Sequence, residues 1–190
     1  MYVCFALLLD HDIHNRIRKM VHQLISTHQV GIETALLPQH VSLKQSFFVP
    51  QMEEVEQYFD HFAARIRSFS ITFHAVDLIH QKRGDTDTQV LWLDIQEDRE
   101  LRGLHNRLNQ DLSRGLQIPN SGFDGDGYHF HSTLAYGSGR YEEFQAMKNE
   151  LNSSFIEMSC EIKEIAMFYS MDALLPGRFI THKILPLHEK

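Results

Sequence analysis

The chain has 190 residues, of which 43% are hydrophobic and 23% charged, and its formal net charge is −7 at pH 7. This profile is typical of a soluble globular protein, and the length suits a single two-lobed domain over residues 1–190. The acidic balance excludes the broad positive surface of a protein that coats nucleic acid, although a nucleotide or a strand end still fits a local pocket.

Apolar periodicity predicts an alternation of strands and helices along the chain. Helical spacing is found in four segments: from Asp10 or Asp12 to His28, Met52–Ile66, Asp98–Leu116 and Tyr141–Leu151. Strands are predicted at Tyr2–Leu9, His40–Val49, Phe69–Ile79, Gln89–Ile95, His129–Tyr136, Phe155–Ser170 and Phe179–Leu187. Turns are predicted at Gln81–Thr88 and Pro176–Gly177.

The order of these elements nearly repeats. Aligning Tyr2–Leu9 with Gln89–Ile95 gives two units of strand, helix, histidine-bearing strand, helix and strand. Such a repeat predicts duplication into two pseudo-symmetric halves of the chain, each of which supplies one half of a site. A single β/α alternation would give the same order.

Two short motifs carry the strongest chemical signal among the 13 histidines: HVSL at His40–Leu43 and HSTL at His131–Leu134. Side chains alternate between the two faces of a strand, so each histidine shares a face with the hydroxyl two residues later, Ser42 or Thr133. If the units are related by a two-fold axis, the two motif strands lie side by side across a cleft.

Paired imidazoles and hydroxyls suit phosphodiester chemistry without a metal or other cofactor. A histidine titrates near ~6.5, so one imidazole can be neutral and accept a proton while the other is charged and donates one to the leaving oxygen. The two hydroxyls would donate hydrogen bonds to the non-bridging phosphate oxygens, where negative charge builds up.

The duplicated H-x-[S/T]-hydrophobic motif resembles that of the 2H phosphoesterases, which include the 2′-5′ RNA ligase-like proteins and cyclic phosphodiesterases. The resemblance spans most of the chain and implies an α+β fold of two pseudo-symmetric lobes, each an antiparallel sheet with outer helices, around a central cleft. It implies His40 and His131 as the catalytic pair and Ser42 and Thr133 as phosphate binders. The substrate would be a 2′,3′-cyclic phosphate or 2′-5′ phosphodiester of a nucleotide or an RNA end.

Two functions of other classes stay open. One is a nucleotide-binding module that keeps the pocket without turnover. The other is a metal-dependent hydrolase, because His129 and His131 have the spacing of metal ligands on a strand, with Asp124, Asp126 or His182 as further ligands.

Several residues beside the motifs have both a functional and a structural interpretation. Lys44 continues the face of His40 and either contacts a phosphate or lies exposed on an edge strand. Tyr128 is a candidate to stack on a base, whereas Trp92 in VLWLDI is expected in the core. The SGFDGDG segment before Tyr128 is expected to be a mobile loop, or a lid over the cleft. Solvent-facing helix positions are expected for His11, His14, His22, His28, His61 and His105.

Membrane insertion and export are not predicted. The longest apolar run, Phe5–Leu9, is much shorter than a bilayer span, and the start of the chain lacks the pattern of a secretory signal. The two cysteines, Cys4 and Cys160, form neither a CxxC pair nor a disulfide framework, so we expect buried, reduced thiols in a cytoplasmic protein.

Overall fold

A computed structural model describes residues 1–83, 86–171 and 178–189. These residues form nine strands: β1 Tyr2–Leu8, β2 His40–Ser42, β3 Phe47–Phe48, β4 Phe69–Arg83, β5 Thr86–Ile95, β6 His131–Gly137, β7 Met158–Ile162, β8 Glu164–Ser170 and β9 Ile180–Pro186. The helices among them are α1 His11–His28, α2 Met52–Ala63, α3 Arg99–Gly115 and α4 Tyr141–Ser153, with a 3-10 helix at Glu33–Leu36.

Two antiparallel sheets organise the chain. The first has the order β2-β1-β8-β9, with β3 also paired to β1, and the second has the order β6-β5-β4-β7. The expected α+β fold of two antiparallel lobes with outer helices is therefore confirmed.

The lobes are not the two halves of the chain, contrary to the expectation from the repeat. Strand β4 pairs with β5 in the second sheet, whereas β8 and β9 return to β1 in the first. The predicted strand Phe155–Ser170 is in fact two strands, because the chain passes from one sheet to the other at Lys163.

Helices cross between the lobes as well. Helix α1 lies beside α4, where Gln23 donates to Glu150 at 2.8 Å, and contacts β6 and β7 of the second sheet. Helix α3 lies beside α2, where Asp111 accepts from Tyr58 at 3.1 Å. Helix α1 thus packs against the sheet that its own strand β1 does not join, and α3 packs against α2, so helices connect the two lobes.

Local sequence explains where the two longest α-helices begin. Asp10 accepts from the backbone N–H of Ile13 at 2.9 Å, and Asp98 accepts from that of Leu101 at 2.7 Å, as N-cap carboxylates do. Every third or fourth residue of each helix then faces the main hydrophobic core. Those buried apolar residues are Ile13, Ile17, Val21 and Leu24 in α1, and Leu101, Leu104, Leu108 and Leu112 in α3.

Turns and breaks differ from the sequence expectation at three places. The predicted strand His40–Val49 is interrupted between β2 and β3. The predicted turn Gln81–Thr88 is shorter, since β4 and β5 pair up to Arg83 and Thr86, and the Pro176–Gly177 turn lies outside the described residues. No helix in the described part of the chain is long and apolar enough to cross a bilayer.

One glycine allows the connector after α1 to dock on the second sheet. Gly31 has a φ of +86°, and a Cβ built on it would lie 2.9 Å from the carbonyl oxygen of Leu134. Thr34 donates to the same carbonyl at 2.9 Å. This close approach leads the chain from α1 to β2 directly beside β6, so the two motif strands meet.

Candidate active site

The first motif places one imidazole and one hydroxyl on the cleft face of β2. Val41 and Leu43 are fully buried on the opposite face, as strand alternation predicts. His40 pairs with Leu8 and Ser42 pairs with Ala6 across the strand β1.

The second motif repeats this arrangement on β6. His131 pairs with Asp94 and Thr133 pairs with Trp92 on β5, while Ser132 and Leu134 are buried on the other face. Both histidines are partly buried.

Each catalytic candidate is held by the same local hydrogen bond. His40 Nδ1 lies 2.7 Å from the carbonyl oxygen of Pro38, and His131 Nδ1 lies 2.8 Å from that of His129. A carbonyl oxygen can only accept, so Nδ1 carries the proton in both rings and Nε2 is left with a lone pair. The two imidazoles are therefore oriented in the same tautomer by a residue two positions upstream.

A cavity of about 250 Å³ joins the two motif strands. His40, Ser42 and His131 line it together with Lys44 and Tyr128. Thr133 lines a second cavity of about 420 Å³ that also touches His40. The structure thus brings both motif histidines to one space, with one hydroxyl in each of two adjoining cavities.

Burial sets the charge of the two imidazoles. Desolvation lowers the pKa of His40 below 6.5, against the opposing effect of its hydrogen bond to Pro38. Desolvation also lowers the pKa of His131, to about 4, and the positive charges of His129 and His40 act in the same direction. Both rings are therefore neutral at neutral pH before a ligand binds.

The Ser42 hydroxyl is oriented by a hydrogen bond from Cys4 on the neighbouring strand β1. Cys4 Sγ lies 3.5 Å from Ser42 Oγ and donates to it, which leaves the serine proton free for another acceptor. Cys4 and Cys160 are both buried free thiols, as expected, and burial raises the pKa of Cys4 to about 11.

Lys44 does not lie exposed on an edge strand. Its ammonium is 1% exposed and contacts Asp124 at 2.6 Å, Asn109 at 2.6 Å and Asn120 at 3.2 Å. These three acceptors match its three donors, so we assign Lys44 to holding the SGFDGDG loop rather than to a phosphate.

That loop is anchored, unlike the mobile lid expected from its glycines. Asp124 accepts from the backbone N–H groups of Gln45 and Ser121, and the Gly125 N–H donates to His105. Arg102 donates to the Gly125 carbonyl from the other side.

Two aromatic residues beside the motifs are both buried, as expected for Trp92. Tyr128 is 5% exposed, stacks on His105 at 4.3 Å and donates to the Ser42 carbonyl at 2.9 Å, so its ring is covered and cannot stack on a base. Trp92 is buried, but it lies on the cleft face, where it stacks on His131 at 4.6 Å.

The metal-ligand candidates are not brought together. His129 Nε2 contacts Asp94 at 2.7 Å, Asp124 is bound by Lys44, and His182 contacts Glu56 at 3.3 Å. Within residues 1–83, 86–171 and 178–189 there is no group of three or more His, Cys, Asp or Glu side chains arranged to hold a metal ion.

Sequence reasoning missed several residues around the site. His105 was expected to face solvent but is fully buried; it donates to the Leu43 carbonyl at 2.7 Å and accepts from Gly125. Its position four residues after Leu101 already indicated the apolar face of α3.

Asp94 was missed although the alternation in VLWLDI places it on the face of Trp92. The other five helical histidines are exposed or partly exposed, as predicted.

Comparison with solved structures supports the fold. The chain has a TM-score of 0.55 and 20% identity to Escherichia coli LigT complexed with 3′-AMP, covering 98% of this chain and 97% of that one. A structure described as a phosphoesterase has a TM-score of 0.57 and 21% identity, covering 98% of this chain and 97% of that one. TT0787 of Thermus thermophilus has a TM-score of 0.58 and 12% identity over the full length of both chains. No curated protein matches.

The sequence itself matches a family model. Residues 10–172, most of the chain and both motif strands, match the model of the 2′-5′ RNA ligase superfamily. The chain belongs to this superfamily, that of the 2H phosphoesterases.

Proposed function

We propose that the chain is a metal-independent phosphodiesterase that opens a 2′,3′-cyclic phosphate or cleaves a 2′-5′ phosphodiester at a nucleotide or RNA end. Superfamily membership supports a phosphodiesterase-type activity. The observation that carries the finer proposal is the matched pair of Nδ1–carbonyl bonds, which leaves Nε2 of both His40 and His131 available beside one cavity.

The two imidazoles divide the proton transfers. In opening a cyclic phosphate, one neutral Nε2 removes a proton from the attacking water as oxygen bonds to phosphorus. The other ring, as imidazolium, gives its proton to the ribose oxygen as that oxygen leaves. In cleaving a 2′-5′ linkage, the neighbouring 3′-hydroxyl takes the place of water. The pair exchanges roles when the reaction runs backwards, and each role contributes roughly 10²–10⁴-fold.

The mechanism needs one protonated imidazole, and the negative charge of the substrate favours that form. Both pKa values are lowered in the free site, mainly by burial. A bound phosphate anion favours the protonated form of the imidazole that it contacts, so binding supplies the acid that the mechanism needs. Ser42 and Thr133 donate to the non-bridging oxygens and stabilise the charge that develops there.

The expected substrate is a small nucleotide or a strand end. Two adjoining cavities suit a compact ligand, and a net charge of −7 disfavours a long contact with RNA. LigT complexed with 3′-AMP provides a precedent for nucleotide binding by this fold.

The test is turnover of 2′,3′-cyclic nucleotides and 2′-5′ dinucleotides in excess EDTA by the wild type, His40→Ala and His131→Ala. Substitution of the exposed helix residue His22 (His22→Ala) is the matched control. We expect each motif substitution to reduce kcat at least a hundredfold and the control to leave it unchanged. Near-wild-type turnover by either variant would disprove the two-histidine mechanism. Binding without product would instead establish a nucleotide-binding module, and activity lost in EDTA and restored by zinc a metal-dependent hydrolase.

A further inference from the structure

The larger cavity extends away from the motif histidines. Its volume is about 420 Å³, within the range of small-molecule sites, and it touches His40 and Thr133 at one end. It adjoins the reaction cavity through four shared residues: Leu37, His40, Gln45 and Phe179. A group attached to a phosphate between the histidines would therefore extend into this cavity.

The walls of the cavity suit a flat ring. Leu37, Val90 and Phe179 provide apolar contact surface. Some polar lining groups are already hydrogen-bonded within the protein: Thr34 donates to the carbonyls of Gly31 and Leu134, and Gln39 donates to the carbonyl of Thr34.

Two further polar groups in the wall are those of Tyr136 and Glu33. The Tyr136 hydroxyl is buried without a hydrogen bond, and Glu33 makes no hydrogen bond or ion pair within the described part of the chain. Glu33 and Tyr136 line the same cavity, and burial, with the charge of Glu33 added, raises the pKa of Tyr136, so the phenol stays protonated. A buried polar group without a partner costs free energy until a ligand supplies one.

We propose that this cavity binds the base of the substrate nucleotide and that Glu33 and Tyr136 select guanine. This proposal rests on the proposed function, since the base is the group joined to the reacting phosphate. Guanine presents two adjacent N–H donors, N1–H and the 2-amino group, beside the acceptor O6. The Glu33 carboxylate accepts both donors in a bidentate contact, and the Tyr136 hydroxyl donates to O6.

Other occupants fit these groups less well. Adenine and cytosine offer one donor beside an acceptor, and uracil offers a single N–H between two acceptors, so each would place a lone pair against the carboxylate. A second phosphate is disfavoured because Glu33 carries the same sign of charge.

The test compares binding of guanosine, inosine and adenosine 3′-monophosphates by calorimetry in EDTA. Inosine lacks only the 2-amino group, so we expect it to bind about tenfold more weakly than guanosine, and adenosine about ten- to a hundredfold more weakly. Glu33→Gln should move the preference to adenosine, because an amide offers one donor and one acceptor side by side. Tyr136→Phe should weaken guanosine and inosine equally and leave adenosine unchanged.

The exposed Glu157→Gln is the matched control and should leave all three affinities unchanged. Equal affinity for the three nucleotides, a guanine preference that persists in Glu33→Gln, or no binding of any of them would overturn the base assignment. Turnover of guanosine 2′,3′-cyclic phosphate, measured in parallel, separates the two proposals. Selective binding without turnover refutes the proposed function alone, and turnover without base preference refutes the guanine site alone.

Discussion

The two motif strands carry the same chemistry in different surroundings. Across β1, His40 faces Leu8 and Ser42 faces Ala6; across β5, His131 faces Asp94 and Thr133 faces Trp92. The hydrogen bond from Nδ1 to the carbonyl two residues upstream is the same in both. The tautomer of each ring is thus set locally by the motif, whereas its environment is set by the neighbouring strand.

Apolar side chains pack beside the first motif histidine, whereas charged and titratable side chains lie beside the second. Phe168 packs edge-on against His40 at 4.8 Å, within a small apolar cluster that contains Leu8. On the second side Asp94 contacts His129 at 2.7 Å and His74 at 3.3 Å, and His129 is about half exposed. A duplicated motif therefore keeps its proton chemistry while the side chains around its two copies differ.

The ion pairs beside the two motif strands also differ in their exposure to solvent. The segment after β2 is fixed by the buried Lys44–Asp124 pair, both of whose side chains are 1% exposed. The pair beside β6, Asp94–His129, is 15% and 52% exposed. Buried and exposed ion pairs respond very differently to the loss of one partner, so substitutions in the two pairs should differ in their effect on stability.

The largest expected effect is on the first side. Lys44→Met leaves the Asp124 carboxylate buried without its cation, and we expect the free energy of unfolding to fall by about 3–5 kcal/mol in denaturant titrations. Lys163→Met removes the lysine of an exposed pair with Glu161 and should lower the free energy of unfolding far less. Equal costs for the two variants would show that the Lys44 pair is not structural.

The contribution of each motif hydroxyl to kcat can be measured by removing it. Ser42→Ala and Thr133→Val each delete one donor to the phosphate, and we expect kcat to fall about ten- to a hundredfold in each. Ser26→Ala on the exposed face of α1 is the control. A loss of less than twofold at either position would remove that hydroxyl from the proposed site.

The pH dependence tests the lowered pKa values on both sides. The base must be neutral and the acid protonated, so kcat/KM of the free enzyme is greatest between the two pKa values. The pKa of His131 is about 4 and the pKa of His40 lies below 6.5. We therefore expect the pH optimum of kcat/KM between about 4 and 6.5, with kcat/KM falling up to tenfold per pH unit above the optimum. An optimum above pH 7 would contradict this assignment.

The smallest expected effect is on the second side. Asp94→Asn removes the charge beside His129 while the His129 carbonyl still holds His131, so we expect unfolding free energy to change by about 0.2–1 kcal/mol and kcat to change little. A loss of activity as large as that of His131→Ala would show that the Asp94 charge acts in the reaction.

Much of this protein follows from local sequence. Alternation along the motif strands placed Val41 and Leu43 in the core and His40 and Ser42 on the other face, and Asp10 caps α1 as the pattern allowed. The superfamily follows from the paired motif. The roles of His40, His131, Ser42 and Thr133 stay predictions until activity is measured.

Only the tertiary structure decided which residues surround the motifs. The local pattern left Lys44 either at a phosphate or on the surface, because its partner Asp124 is 80 positions away. His105 likewise finds its acceptor, the carbonyl of Leu43, 62 positions away. The exchange of strands and helices between the lobes likewise depends on pairing between distant segments. Periodicity reports which face of an element is apolar, but not which distant polar group will satisfy a buried charge, because that partner is brought into contact only by the complete fold.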